Sequence, residues 1–208
     1  MNAIDNIYGF SDHGGLITYV RDDYICKNLD LYSSSEIWEG LFIEAKNIAT
    51  NRKIIVCNIY RPPRNNNSIS NISSFIENIS DCVIRLDSFD NVVIAGDFNI
   101  DLIKIHTNNI YNTYLENFMS KGFIPIITKP TRFSTHSATL LDHIFTRCDN
   151  IYEKPFGCIL TSVISDHFPV VGGIPLKIEY EKRPKFINKM DYSRQSQQNF
   201  FNELQTVD

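Results

Sequence analysis

The chain has 208 residues, of which 43% are hydrophobic and 21% charged, and its formal net charge is −4. This length and composition predict one globular domain with a sizeable core and exclude a disordered chain. The chain lacks the basic excess typical of nucleic-acid-binding domains. That excludes little, because carboxylates that hold a metal make a sequence acidic while their site becomes positive.

Cysteine usage and hydropathy point to a compartment. The five cysteines lack the paired spacing of a zinc site or a disulfide framework, which favours free thiols in a reducing compartment. The sequence shows neither a cleavable signal nor an apolar run of the ~20 residues that a membrane span needs. We therefore expect a soluble, intracellular domain.

Apolar spacing predicts alternating strands and helices along the chain. Helical spacing predicts two amphipathic helices, from Ile69 to Leu86 and from Tyr111 to Met119. The second and third predicted strands are joined as a hairpin. Two packed sheets with helices outside would accommodate this order of elements. The predicted strands cover residues 15–20, 36–46, 53–60, 91–96, 123–128, 139–146, 158–163 and 169–174.

A carboxylate and a carboxamide follow the buried strand at 91–96. Side chains alternate along a strand, so Asp97 and Asn99 should share a face while Phe98 turns into the core. Gly96 permits close approach of a backbone, a ligand or a metal. Because Asp and Asn also end strands in ordinary turns, these residues alone indicate a site and a turn equally.

Two Asp-His pairs lie in apolar surroundings further along the chain. Asp142-His143 falls within the predicted strand 139–146, and Asp166-His167 falls between the last two strands. Asp is rarely buried without a partner, so Asp142 should have a donor or an ion beside it. His143 should point to the opposite face of the strand, which favours a packed histidine over a ligand. A single Asp-His pair is typical of a capped turn. Two such pairs together with the Asp97–Asn99 segment place polar residues at three strand ends of one small chain, which indicates a site.

These motifs resemble those of a known superfamily. Gly96-Asp97-Phe98-Asn99, Leu141-Asp142-His143-Ile144 and Ser165-Asp166-His167 resemble three successive motifs of the endonuclease/exonuclease/phosphatase superfamily. Ile59-Tyr60-Arg61-Pro62-Pro63 resembles an upstream motif, and its spelling is closest to the endonuclease domains of non-LTR retrotransposons. The resemblance extends from about Gly14 to Pro175.

The resemblance implies a fold and a reaction. The fold is a four-layer α/β sandwich of two packed mixed β-sheets flanked by helices, and the reaction is phosphodiester hydrolysis with Mg²⁺ or Mn²⁺. Asp97 would deprotonate the attacking water, and Asn99 would orient the phosphate. His167 would donate to a phosphate oxygen, with Asp142 holding its tautomer. The remaining implied roles are a metal or water ligand for Asp166, a donor to the phosphate or leaving oxygen for Tyr60, and a phosphate-binding hydroxyl for Thr139.

The start of the chain departs from the family pattern. A complete member begins with a strand carrying an Asn and a strand ending in a metal-binding Glu, and the residues before the first predicted strand leave no room for both. Glu36, Glu39 and Glu44 come too late in the chain to be assumed as replacements. We expect a domain over 1–178 that lacks the first strands, and a basic, polar linker with a short helix over 179–208.

Three functions remain open. The first is the DNA-nicking endonuclease of a non-LTR retrotransposon, with a reverse transcriptase domain C-terminal to it and a nuclear location if the element is active. The second is a catalytically inactive remnant of the same fold, which the absent Glu strand favours. The third is a phosphatase of inositol phosphates or sphingomyelin, which the Tyr-Arg-Pro-Pro spelling disfavours.

Overall fold

The computed structural model describes most of the first 176 residues and four positions beyond them. The described residues are 2–6, 15–30, 37–63, 69–149, 154–162 and 164–176, with 195, 198, 199 and 202. The chain divides into two compact units, Met1–Lys177 and Ile178–Asp208. In the second unit the four described positions are helical and exposed. Phe200, Phe201 and Leu204, which suggested the short helix, lie outside the described residues.

Strands dominate the described part of the first unit. They are β1 (Asn2–Asn6), β2 (Leu16–Val20), β3 (Tyr24–Asn28), β4 (Glu39–Asn47), β5 (Lys53–Tyr60), β6 (Val92–Asp97), β7 (Ile124–Pro125), β8 (Arg132–Phe133), β9 (Ala138–Thr139), β10 (Asp142–Arg147), β11 (Phe156–Ile159) and β12 (Val170–Gly173). The helices are α1 (Ile69–Arg85) and α2 (Asn109–Met119), and a 3-10 turn covers Leu102–Lys104. No helix in the described part of the chain is long and apolar enough to cross a bilayer.

Six strands form one mixed sheet in the order β3-β4-β5-β6-β10-β7. β5 and β6 are parallel, whereas the other neighbours in this sheet are antiparallel. A parallel pair needs a long crossover, which the 17-residue helix α1 supplies. The C-terminal ends of β5 and β6 therefore lie beside the N-terminal ends of β4 and β10.

The main core lies between one face of this sheet and the two helices. Alternate residues of β5 and β6, such as Ile59 and Ile94, share a buried cluster with Phe75 of α1. Phe98, directly after β6, is fully buried and contacts the ring of Tyr114 from α2. Burial of apolar surface at roughly 25 cal/mol per Å² makes this layer the chief source of stability.

Two hairpins lie against the other face of the sheet. β1 pairs with β2 and β11 pairs with β12, each as a separate two-stranded sheet among the described residues. Asn58 Nδ2 donates to the carbonyl oxygen of Ile17 over 3.3 Å, which holds β2 against β5. β12 packs on β10, where a Cβ on Gly172 would stand 3.1 Å from Ile144 Cδ1.

The predicted α/β fold class is confirmed, with helices on one face of a mixed sheet and further strands on the other. The strand predicted at 53–60 coincides with β5, and both predicted helices are present. The strand predicted at 123–128 is reduced to the two residues of β7. β1, β3 and the short β8–β9 hairpin were not predicted from the sequence.

Candidate active site

Four polar side chains stand side by side at one end of the six-stranded sheet. The strand registers place Glu39 opposite Tyr60, Tyr60 opposite Asp97, and Asp97 opposite Asp142. Directly opposed residues share a face of a sheet. Glu39, Tyr60, Asp97 and Asp142 therefore form a cross-strand row on the face turned toward the hairpins. All four are partly exposed.

A tight turn after β6 fixes the carboxylate of Asp97. The backbone N–H of Asn99 donates to Asp97 Oδ1 over 3.1 Å, and Asn99 Nδ2 donates to the carbonyl oxygen of Arg61 over 2.8 Å. Asn99 has a φ of 49°, in the left-handed region that Asn tolerates. Phe98 turns into the core as predicted. The alternation of side chains along β6 ends at Asp97. The turn, rather than the strand alternation expected from the sequence, therefore sets the position of Asn99.

Gly96 allows two parallel strands to approach closely. Its φ is 151°, and a Cβ at this position would collide with the carbonyl oxygen of Ile59 on β5. The close approach expected at Gly96 is therefore that of a neighbouring backbone. This contact brings Tyr60 and Asp97 together at the ends of their strands.

Asp142 is held between a threonine and a histidine. Thr131 Oγ1 donates to Asp142 Oδ2 over 2.6 Å and accepts the N–H groups of Leu141 and Asp142. His167 Nδ1 lies 2.9 Å from Asp142 Oδ2 and 3.2 Å from Oδ1. Because an ionised carboxylate only accepts, Nδ1 of His167 carries the proton and Nε2 is left for another partner. Thr131 is fully buried and was missed by the sequence analysis.

The segment 131–133 connects the Asp142 strand to the His167 loop. The N–H of Thr131 donates to the carbonyl oxygen of Thr139 over 2.9 Å. The N–H of Phe168 donates in turn to the carbonyl oxygen of Thr131 over 2.7 Å. An isolated bridge pairs Arg132 with His167. These backbone contacts bring His167 next to a carboxylate 25 residues earlier in the chain.

Asp97, Asp142 and His167 meet at the mouth between the sheet and the hairpins. One possible ligand atom from each lies within 4.8 Å of the other two. Among the described residues, this is the sole group of three or more acidic, cysteine or histidine side chains close enough to hold a metal ion. The structure thus brings together three of the residues named from the sequence.

Burial and neighbouring charge alter two groups of the cross-strand row. Burial raises the pKa of Asp97, and Asp142 raises it further, whereas the N–H of Asn99 and the ring of His167 oppose the rise. Burial also raises the pKa of Tyr60, with Asp97 and Glu39 adding to the effect. Tyr60 therefore stays a neutral phenol that can donate, and Asp97 is a stronger base than an exposed aspartate.

Asp166 and Thr139 lie beside the cluster with other partners. Asp166 is exposed and accepts from Arg132 Nε over 2.7 Å, a hydrogen bond that lowers the pKa of Asp166. Its carboxylate is not part of the group that could hold a metal, so its assignment as a metal ligand stays a prediction. Thr139 contributes its backbone carbonyl to Thr131, and phosphate binding by its hydroxyl also stays a prediction.

His143 is packed in the core, as its place on the strand predicted. It is 1% exposed, and its ring stacks on Phe98 with centroids 5.0 Å apart. The carbonyl oxygen of Leu140, 3.1 Å away, accepts from Nε2, so Nδ1 accepts from the Tyr114 hydroxyl over 2.9 Å. Burial lowers the pKa of His143 to about 4. A neutral imidazole therefore supports the strand directly behind Asp142.

A cavity lies at the opposite end of the sheet, away from the cluster. Its volume is about 390 Å³, and Glu44, Arg52, Lys53 and Asp149 are among its lining residues. No member of the cross-strand row lines this cavity. The convergent side chains instead occupy an open mouth, where His167 keeps 30% of its side chain exposed.

The family of the chain follows from its sequence between β5 and β12. A model of the endonuclease-reverse transcriptase family matches residues 54–171, more than half of the chain. The chain belongs to this family. The matched residues of this endonuclease-reverse transcriptase family member include Tyr60, Asp97, Asp142 and His167, but not Glu39. No curated protein sequence matches the chain.

Solved structures share the fold of this family member. The endonuclease domain of TRAS1, a telomere-specific non-LTR retrotransposon, matches with a TM-score of 0.60 and 15% identity over 84% of this chain and 78% of that domain. The catalytic domain of human nocturnin, solved with bound sulfate, matches with a TM-score of 0.53 and 13% identity over 75% and 61%. At these identities the likeness establishes the fold. Together with the family match over residues 54–171, it confirms the resemblance named from the sequence.

Proposed function

We propose that this chain hydrolyses phosphodiester bonds of DNA with a divalent metal ion, as the nicking endonuclease domain of a non-LTR retrotransposon. The observation that carries the proposal is the cluster of Asp97, Asp142 and His167 at an open mouth. The match to the endonuclease-reverse transcriptase family and the fold of the TRAS1 domain support it. The family name also supports a reverse transcriptase as partner within one element, and DNA as the target implies action in the nucleus.

The donor set of the cluster fits a hard divalent ion. Mg²⁺ prefers oxygen ligands and is commonly held by one or two carboxylates, with waters and substrate phosphates completing its shell. Asp97 and Asp142 supply those carboxylate oxygens, and the protonated Nδ1 of His167 is already engaged by Asp142. Mg²⁺ or Mn²⁺ held there would neutralise charge on the phosphate and make a bound water more acidic.

Hydrolysis needs a base, an acid and groups that orient the phosphate. Asp97 accepts the proton of the attacking water. His167 donates from Nε2 to a phosphate oxygen while Asp142 fixes the ring. Tyr60, kept neutral, donates to the phosphate or to the leaving oxygen. Asn99 binds Arg61 with one Nδ2–H and keeps the other for the phosphate.

Plasmid nicking tests the proposal. The 208-residue chain should convert supercoiled DNA to open circles with Mg²⁺ or Mn²⁺, and EDTA should abolish the conversion. Asp97→Asn and His167→Ala should each lower the rate by about a hundredfold or more without unfolding the protein. Asp87→Asn is a matched control, because Asp87 is exposed and pairs with Arg147 at the other end of the sheet.

Four outcomes would count against the proposal. Nicking that persists in EDTA, or undiminished nicking by His167→Ala, would contradict the assigned chemistry. A folded chain that binds Mn²⁺ but cuts no DNA would be an inactive remnant of the fold. A chain that spares DNA and hydrolyses inositol phosphates or sphingomyelin would be a phosphatase of the same superfamily.

A further inference from the structure

Arg61 follows the cross-strand row directly, yet the proposed reaction gives it no part. Its side chain is 2% exposed, although arginine is among the residues least often fully buried. Its backbone N–H donates to the carbonyl oxygen of Asp97 over 2.9 Å, which extends the β5–β6 pairing past Tyr60. A buried guanidinium needs acceptors, and it finds them in the turn that follows Asp97.

The contacts between Arg61 and that turn run in both directions. Nη1 of Arg61 donates to the carbonyl oxygens of Phe98 and Asn99, each 3.3 Å away. Asn99 Nδ2 donates back to the carbonyl oxygen of Arg61 over 2.8 Å. The guanidinium carbon also lies 5.7 Å from the centroid of the Phe75 ring, which it faces. Arg61 thus holds the backbone of the turn from its buried side.

We infer that Arg61 is a positioning residue, which orients the Asp97 carboxylate by holding Asn99 in its left-handed conformation. A non-glycine residue at a φ of 49° persists when its surroundings fix it. In this conformation the N–H of Asn99 reaches Asp97 Oδ1. Without the two bonds from Nη1, Asn99 relaxes, its N–H leaves Oδ1, and the carboxylate rotates. The kinetic consequence of this role rests on the proposed function, whereas the structural role does not.

A lysine at position 61 separates a positioning effect from the loss of a charge. Lysine keeps the positive charge of Arg61 and loses the planar fork that reaches the carbonyl oxygens of Phe98 and Asn99. A change at Arg61 that keeps its charge should therefore lower the rate by misplacing the Asp97 carboxylate. A small misplacement of a catalytic group can lower a rate on the order of a hundredfold.

Arg147 provides a matched control at the other end of the sheet. Its Nη1 donates to the carbonyl oxygen of Lys121 and its Nη2 to that of Leu86, and its guanidinium covers the ring of Phe123 at 4.6 Å. Both arginines bind backbone carbonyls and cover a phenylalanine ring, but Arg147 is remote from the turn after Asp97. Lysine retains the charge and loses the planar fork in both cases.

Hydrogen exchange and nicking kinetics of the 208-residue chain test the inference. Arg61→Lys should speed amide exchange at 97–100 on the order of tenfold and lower kcat by about tenfold to a hundredfold. KM should stay within about twofold. Arg61→Gln should act at least as strongly. Arg147→Lys should speed exchange near Leu86 and Lys121 while kcat and exchange at 97–100 stay unchanged.

Several results would overturn the inference. Unchanged exchange at 97–100 in Arg61→Lys would do so, and so would equal effects of Arg61→Lys and Arg147→Lys on that segment. If neither Arg61 variant folds, a crystal structure of the unsubstituted chain decides, and Arg61 facing solvent would refute the role. A chain that cuts no DNA but shows the expected exchange pattern would refute the proposed function and support the positioning role.

Discussion

The two ends of the six-stranded sheet arrange charge in opposite ways. At the end with the cross-strand row, Asp97 and Asp142 are directly opposed on neighbouring strands, where like charges are destabilising. At the far end, acidic and basic side chains neutralise each other. The ion pairs at that end are Arg147–Asp87 at 3.0 Å, Lys53–Glu44 at 2.9 Å and Arg52–Asp149 at 3.7 Å.

This contrast supports placing the proposed reaction at the end of the sheet with the cross-strand row. Ion pairs near a surface contribute about 0–1 kcal/mol each, so the far end gains a little stability from its charges. Burial and Asp142 raise the pKa of Asp97, so the charged carboxylate destabilises the folded protein at neutral pH. Perturbed acids are common at functional sites, and the raised pKa of Asp97 fits that pattern.

Replacing Asp97 should separate activity from stability most strongly. Asp97→Asn keeps an acceptor for the N–H of Asn99 but removes the base, so nicking should fall by about a hundredfold or more. The pKa of Asp97 is higher in the folded protein than its ordinary value of 3.8. The carboxyl group therefore stabilises the fold fully below pH 3.8, and this stabilisation is lost as pH rises through the folded pKa. The variant should therefore melt at a higher temperature than the unsubstituted chain at pH 7. Thermal unfolding at pH 7 and pH 4 measures the difference.

Asp87→Asn should behave in the opposite way at the far end. It removes one partner of an exposed ion pair, so nicking should be unchanged and the melting temperature equal or slightly lower. A melting temperature for Asp97→Asn below that of the unsubstituted chain would erase the contrast between the two ends.

Acid should destabilise the end with the cross-strand row through His143. Burial lowers the pKa of His143 from 6.5 to about 4. Between these pH values the histidine binds a proton in the unfolded chain but not in the folded one. The stability from this group is complete above pH 6.5 and declines toward pH 4, by up to on the order of 3 kcal/mol. Melting temperature against pH should show this slope, and His143→Gln should flatten it. His136→Gln, at an exposed histidine, should leave it intact, and equal slopes in both variants would assign the acid sensitivity elsewhere.

Two buried threonines near the two ends of β10 allow a more sensitive comparison. Thr131→Val removes the hydroxyl that donates to Asp142 and accepts two backbone N–H groups, which should cost about 1–3 kcal/mol and slow nicking. Thr146 is also buried, but its hydroxyl has no hydrogen-bond partner among the described residues. Thr146→Val should therefore be neutral or stabilising. Denaturant unfolding of both variants measures the pair, and equal losses would deny Thr131 a special part.

The smallest effect is expected at the exposed pair of Arg132 and Asp166. If the ion pair with Arg132 is the only role of Asp166, then Asp166→Asn and Arg132→Gln should have the same effect. Both variants should nick DNA at a rate within about threefold of that of the unsubstituted chain. Their double variant should add nothing further. A metal ligand would behave differently, because Asp166→Asn alone would then weaken Mn²⁺ binding. Titration of Mn²⁺ by electron paramagnetic resonance distinguishes the two cases.

Local sequence patterns predicted the interior of the fold well. β5, α1 and α2 each bury one face or stripe, so apolar residues recur along them at the spacing of a strand or a helix. This recurrence is visible in the sequence. The strand ends at Asp97 and Asp142 were recognisable for the same reason, since a polar residue breaks an apolar run. His167 was found through its motif, although its contact with Asp142 depends on segment 131–133.

The missed features depend on partners distant in the sequence. β3 is an edge strand whose residues are half-buried or exposed, so no apolar run marks it. The hydroxyl of Thr131 matters because it binds a carboxylate eleven positions away in the sequence, that of Asp142. Glu39 was set aside because it comes late in the chain, and only the strand register places it in the cross-strand row. Register and turn conformation, including the left-handed Asn99, are tertiary properties that a single sequence does not display.

The contact at Gly96 has a genetic consequence. Every missense change in a glycine codon adds a side chain, and any Cβ at this position collides with the backbone of Ile59. A missense mutation of codon 96 would therefore leave no tolerated amino acid at this position. Whether a variant of the gene still encodes glycine there indicates, from one codon, whether its product can keep Tyr60 and Asp97 side by side.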